Sequence, residues 1–167
     1  MGVGKSTTAE LLAAQLRERT GFDWALRDSD VDLQALVGVQ GDVIAAQYGV
    51  GELHRLESAV LLGALAVGVP TVISAAASVV EDARCREALA RRAFVTVLEL
   101  PLDALPERIA AGDHRREIDP QAMRDLAKRR SPLFQEVADM VVSAELSTDE
   151  IVADIMAASI LESSTNQ

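Results

Sequence analysis

Lysine is nearly missing from this chain. Lys5 and Lys128 are the only two, and the other fourteen of its sixteen basic residues are arginine. Twenty-six acidic residues bring the net charge to −10 and the isoelectric point to about 4.6. Such a surface repels a phosphate backbone, so nucleic acid is excluded as a partner. A small anionic substrate is still admissible, because arginines clustered locally can override the global sign. Cysteine occurs once, at Cys85. No intramolecular disulfide can form, and a reducing cytoplasm is the expected setting. No run of about 18 apolar residues is free of charge, so no membrane partner is expected. Internal repeats and a dividing linker are also lacking. A length of 167 residues with 49% hydrophobic content predicts one domain over residues 1–161, followed by a polar, frayed tail at 162–167.

What is present begins at once. Gly2-Val3-Gly4-Lys5-Ser6-Thr7 is the back half of the phosphate-binding pattern G-x-x-x-x-G-K-[ST]. Small residues let the backbone curl so that successive N–H groups face phosphate oxygens. Lys5 would bridge the β- and γ-phosphates of ATP, and the Ser6 hydroxyl would ligate Mg²⁺. Ala9, Leu12, Ala13 and Leu16 recur at helical spacing behind the loop. The helix so predicted would turn its positive end toward the anion. The bland alternative is an ordinary helix entry with Ser or Thr near its N-cap. The pattern's first glycine would fall ahead of Met1. The expectation is therefore a natural protein about ten residues longer, carrying an apolar strand and that glycine, for which intact mass is the check.

Further along, strand-like and helix-like segments alternate. Strands are predicted at 23–27, 70–74, 93–100 and 139–143. Helices are predicted at 31–37, 41–67 with breaks near Gly49 and Gly51, 80–92, 102–111, 120–138 and 147–161. A polar segment, Gly112 to Asp119, separates two of them and suits a mobile lid. Strands alternating with helices imply a parallel sheet covered on both faces. Ligands then gather beyond the carboxyl ends of the strands. That rule draws together the phosphate loop, Asp28 and Asp30, the stretch Ser74 to Ser78, and the segment near Gly112.

Laid end to end from Gly2 to about Ile160, the pattern resembles the shikimate kinases, small P-loop kinases of the nucleoside-monophosphate-kinase type. The triplet Asp28-Ser29-Asp30 matches the family's D-[ST]-D. Gly38, Ile44 and Gly49 through Glu57 follow at family spacing. Arg130-Ser131-Pro132-Leu133-Phe134 matches R-x-P-L-[YF], and Val137-Ala138-Asp139 the V-A-D after it. The resemblance implies a three-layer α/β/α P-loop kinase fold with a parallel sheet of order 2-3-1-4-5, whose first strand this sequence does not include. It implies a monomer that phosphorylates the 3-hydroxyl of shikimate with ATP and Mg²⁺. By position, Gly2, Gly4, Lys5, Ser6 and Thr7 would cradle the nucleotide. Asp28 would hold Mg²⁺ through water, and Asp30 would orient the attacking hydroxyl and accept its proton. The plain alternative for both aspartates is a polar loop capping the next helix, with Asp30 as the cap before Val31. Arg115 matches the lid arginine over the nucleotide, with Arg116 as its alternative. Arg130 matches the arginine that approaches nucleotide and substrate, with Arg129 as its alternative.

Departures from the family pattern concentrate on the substrate side. His54 stands where the family has an arginine that grips the substrate carboxylate. An imidazole cannot give a bidentate, permanently charged clamp, which puts about 10- to 150-fold in affinity at stake. Ala75-Ala76-Ala77 replaces a family triple glycine. The methyl groups would either narrow the pocket and restrict the turn or form a well-packed helix entry. Arg115-Arg116-Glu117-Ile118 replaces the lid's Arg-Pro-Leu-Leu. A kinase of the same fold acting on another hydroxylated small molecule, or an ATP-binding paralogue without phosphotransfer, are the competing outcomes.

Overall fold

The structure, a computed structural model, describes residues 4–101 and 119–165. Gly2, the predicted helix at 102–111 and the lid segment with Arg115, all but Asp119, lie outside the described residues. The chain forms two compact units. One comprises Met1–Leu11 with Phe94–Gln167, the other Leu12–Ala93. Helix α1 (Lys5–Thr20) contributes to both.

In the unit spanning Leu12–Ala93, strand β1 (Ala25–Asp28) is followed by α2 (Ser29–Val37), α3 (Gly41–Tyr48) and α4 (Val50–Leu65). Strand β2 (Thr71–Ser74), a 3-10 helix (Ala77–Glu81) and α5 (Ala83–Arg92) complete it. β1 and β2 pair in parallel, Ala25 against Thr71 and Asp28 against Ser74. Every residue of β2 is buried or half-buried, as its apolar run predicts. Leu33, Ile44 and Val60 form the core where α2, α3 and α4 meet, with Val37, Leu53 and Leu56 packed against them. Gly41 is there because the helices come close. A Cβ at that position would stand 3.1 Å from Leu53 Cδ1 and 3.5 Å from Leu33 Cδ2.

In the other unit, β3 (Thr96–Glu99) and β4 (Met140–Ser143) pair in parallel, Thr96 against Met140 and Glu99 against Ser143. Helices α6 (Pro120–Val137) and α7 (Thr148–Thr165) accompany them. Ile151, Val152, Ile155 and Met156 give α7 a buried face one helical period wide. The expected strand at 93–100 is shorter. At its start the Val95 N–H donates to the Asp139 carboxylate, at 2.7 Å, and the Val95 carbonyl accepts from the N–H groups of Asp139 and Met140. A side chain has taken over that end of the ladder, which gives the V-A-D stretch a structural task. The expected tail also begins later, because α7 continues through Thr165. Glu162 to Thr165 contains neither glycine nor proline to stop it.

Among the described residues, β1–β2 and β3–β4 are the two parallel pairs, in keeping with the parallel α/β pattern expected.

Candidate functional site

The segment expected to bind phosphate is shaped by its backbone. Gly4 adopts φ +82°, a left-handed conformation that favours glycine, and the space where its Cβ would lie is open. Its carbonyl accepts from the Thr8 N–H at 2.9 Å, which closes the first turn of α1. Lys5 opens the helix and is half-buried, while Ser6 and Thr7 are exposed. No acidic residue occupies the first turn. The free N–H groups and positive end of α1 therefore meet no competing carboxylate from that turn, and the residues present suit a phosphate. Thr8, directly behind, is buried with no hydrogen-bond partner for its hydroxyl.

The opposite charge marks the start of α2. Asp28 ends β1 and serves as the N-cap, its Oδ1 accepting from the Asp30 N–H at 3.0 Å. Sequence had placed the possible cap at Asp30 and the helix start at 31. The extended backbone of Asp28, φ −118° and ψ 124°, puts its side chain within reach of the first free N–H groups, so the helix starts at Ser29. Asp30 lies exposed in the first turn together with Asp32. Asp32 accepts from Arg27 Nε at 2.7 Å. An acceptor-only carboxylate, exposed beyond a strand end, is equipped to take a proton from a hydroxyl or to face a hydrated cation.

The parallel register decides what stands beside these aspartates. Because Asp28 pairs with Ser74, the residues leaving β1 and those leaving β2 emerge at the same carboxyl rim. Ala75 and Ala76 are half-buried, and Ala77 opens the 3-10 helix. Among the described residues no residue other than glycine has a positive φ, and Ala76 is extended at φ −65° and ψ 140°. The turn therefore follows a path open to alanine, and the methyl groups impose no backbone strain. Of the expected effects of the methyl groups, a restricted turn is the one the backbone does not show.

His54 reaches from α4 to the 3-10 helix that follows β2. Its Nδ1 lies 3.4 Å from Glu81 Oε2 at the end of the 3-10 helix, with side chains 30% and 36% exposed. One turn further along α4, Glu57 is buried and accepts a hydrogen bond from the Ser78 hydroxyl. Next to it the Ser58 hydroxyl bonds Asp82. Asp82 also caps α5 and accepts from the Arg84 side chain at 2.7 Å. Chiefly through Arg84, its carboxyl is held down at about 2. The buried Cys85 thiol faces the Ser58 carbonyl at 3.7 Å, and burial pushes its pKa up, away from a reactive thiolate. Glu57, Ser78 and Glu81 were not singled out from sequence. The one available signal was a carboxylate inside the apolar stretch Leu56 to Leu62, three residues after His54.

Arg130 lies half-buried within α6, where the R-x-P-L stretch is helical and Pro132 withholds one helical N–H.

The family model described as shikimate kinase matches residues 1–159. A shikimate kinase of Xanthomonas campestris pv. campestris is 34% identical over 164 residues, covering 93% of this chain and 86% of that protein. Among solved structures, shikimate kinase from Acinetobacter baumannii in complex with shikimate superposes with a TM-score of 0.79 at 24% identity, over 98% of this chain and 89% of the other. Shikimate kinase from Aquifex aeolicus gives 0.76 at 21% identity, over 99% and 93%. At those identities the two structures establish the shared fold.

Proposed function

The chain belongs to the shikimate kinase family, and on that premise we propose that it transfers the terminal phosphoryl group of ATP to the 3-hydroxyl of shikimate. Gly4, Lys5, Ser6 and Thr7 bind the nucleotide, with Gly2 ahead of them. Lys5 supplies the one permanent positive charge of the loop and holds the phosphoryl group being transferred. Ser6, and Asp28 through water, would hold Mg²⁺, which would supply charge neutralisation to the phosphates. Asp30 aligns the substrate hydroxyl for in-line attack and takes its proton. His54 and the alanines Ala75 to Ala77 line the substrate side. Arg115 and Arg130 are the arginines assigned to the nucleotide, and Arg130 to the substrate as well.

The observation that carries this reading is the register of β1 on β2. It brings Asp28 to the carboxyl rim from which Ala75 to Ala77 emerge, with Asp30 in the first turn of the adjoining helix. The test is coupled ADP release with and without shikimate. Shikimate-dependent turnover that falls by about 10²- to 10⁴-fold in Asp30→Asn, with ATP affinity unchanged, is the expected result. Saturable ATP binding with no shikimate-stimulated release would overturn the assignment.

A further inference from the structure

His54 does not stand alone. On α4, His54 and Glu57 are three residues apart and share one face. On the 3-10 helix, Ser78 and Glu81 are also three apart, which in that geometry is one full turn, so their side chains eclipse. The two elements therefore meet as a two-rung ladder of opposite sense. Ser78 donates to Glu57 in the buried rung, and His54 meets Glu81 in the half-exposed one. The Ser58–Asp82 bond extends the ladder one step toward α5. The buried Ser78–Glu57 rung ties α4 to the 3-10 helix, and the outer rung is set from it.

The consequence lies in which ring atom Glu81 takes. Its carboxylate faces Nδ1 at 3.4 Å. A carboxylate can only accept, so the Nδ1 proton is directed to it and the ring plane is set. Nε2, on the other side of the ring, is then an acceptor, suited to a substrate hydroxyl.

We propose that Glu81 is a positioning residue for substrate recognition, fixing the tautomer and orientation of the His54 imidazole so that Nε2 accepts a hydrogen bond from a hydroxyl of the substrate. It acts through His54 and touches no reacting atom. This rests on the placement of His54 on the substrate side proposed above. A single imidazole has one directional contact to offer where a guanidinium has a fork, so its direction must be set by a neighbour.

The test is a double-mutant cycle read in steady-state kinetics with shikimate and ATP, each variant also checked by thermal melting. Glu81→Ala raises KM for shikimate by about three- to tenfold, with kcat and KM for ATP within about twofold. Glu81→Gln, whose amide oxygen can still accept from Nδ1, restores most of the loss. In a His54→Ala background the same Glu81→Ala change has no further effect on KM. Equal losses in both backgrounds would overturn the proposal, as would a Glu81→Ala protein that binds shikimate more tightly. A normal KM in Glu81→Ala beside a raised KM in His54→Ala would sink this inference and leave the functional assignment standing. A normal KM in His54→Ala would remove His54 from the substrate side and the proposal with it.

Discussion

The start of α1 and the contact between α4 and the 3-10 helix solve different problems with different material. The first is a stretch of consecutive residues whose chemistry is carried by main-chain N–H groups, one left-handed glycine and one lysine. Thr8, buried behind it, has no hydrogen-bond partner for its hydroxyl among the described residues. The second is built from side chains 21 to 27 positions apart in sequence, and its buried polar groups are paired: Ser78 to Glu57, and Asp82 to Ser58. A binding loop made of backbone tolerates the loss of neighbouring side chains and depends on one or two residues. A ladder of side chains spreads its dependence, and each rung holds the others in place.

The widest separation between the two regions should appear in catalysis. Lys5→Met removes the fixed charge that the phosphoryl group meets, and turnover should fall on the order of 10²- to 10³-fold with little change in melting temperature. A variant that kept a tenth of the activity would place the working charge elsewhere. In the ladder the order of effects should invert. Ser78→Ala deprives a buried carboxylate of its hydroxyl donor, and about 1–3 kcal/mol of stability should be lost in denaturant titration. If the melting curve does not move, the buried rung is not holding α4.

A smaller effect sharpens the same contrast through acid. The carboxyl of Asp82 is held at about 2 in the folded chain, against an ordinary value near 3.9 in an unfolded one. A lowered folded value means that its contribution is complete above about pH 4 and is lost as the pH falls toward 2. The Arg84 partner is 71% exposed, so solvent screens the pair and the contribution is below about 1 kcal/mol. Stability followed from pH 5 to pH 2 should fall less steeply in Asp82→Asn than in the parent. Parallel curves would dismiss the pair. The smallest effect belongs to the loop side. Thr8→Val exchanges an unpaired buried hydroxyl for a methyl and should be neutral or stabilising by up to about 1 kcal/mol in the same titration. A loss above that would show that the hydroxyl has a partner in solution.

How far each region could be read in advance follows from this difference. The left-handed Gly4 and the helix that opens at Lys5 were legible because their determinants are adjacent in sequence. Asp28 and Asp30 were legible as carboxylates at a strand end, although which of them caps α2 was not. Cap choice depends on the backbone angles of Asp28, and either residue type could have served. The alternation of strands and helices placed all four described strands to within three residues at either end. The shortening of β3 escaped because it rests on the Asp139 side chain, 44 positions from Val95. His54 was legible as a departure, but its meaning was not, since Glu81 lies 27 positions away and no local pattern links them.

By itself, then, the sequence determined the phosphate loop, the acidic turn after β1, the parallel α/β pattern and the family. These depend on residue type and short spacing, which fix backbone conformation and charge within one or two turns. Tertiary structure decided that Ala75 to Ala77 pass through their turn without strain, and that Glu57 is buried against Ser78. It also decided that His54 presents Nδ1 to Glu81. Those outcomes required two helices to meet at one register, and the packing of Leu33, Ile44 and Val60 beneath them, with the pairing of β1 on β2, sets that register.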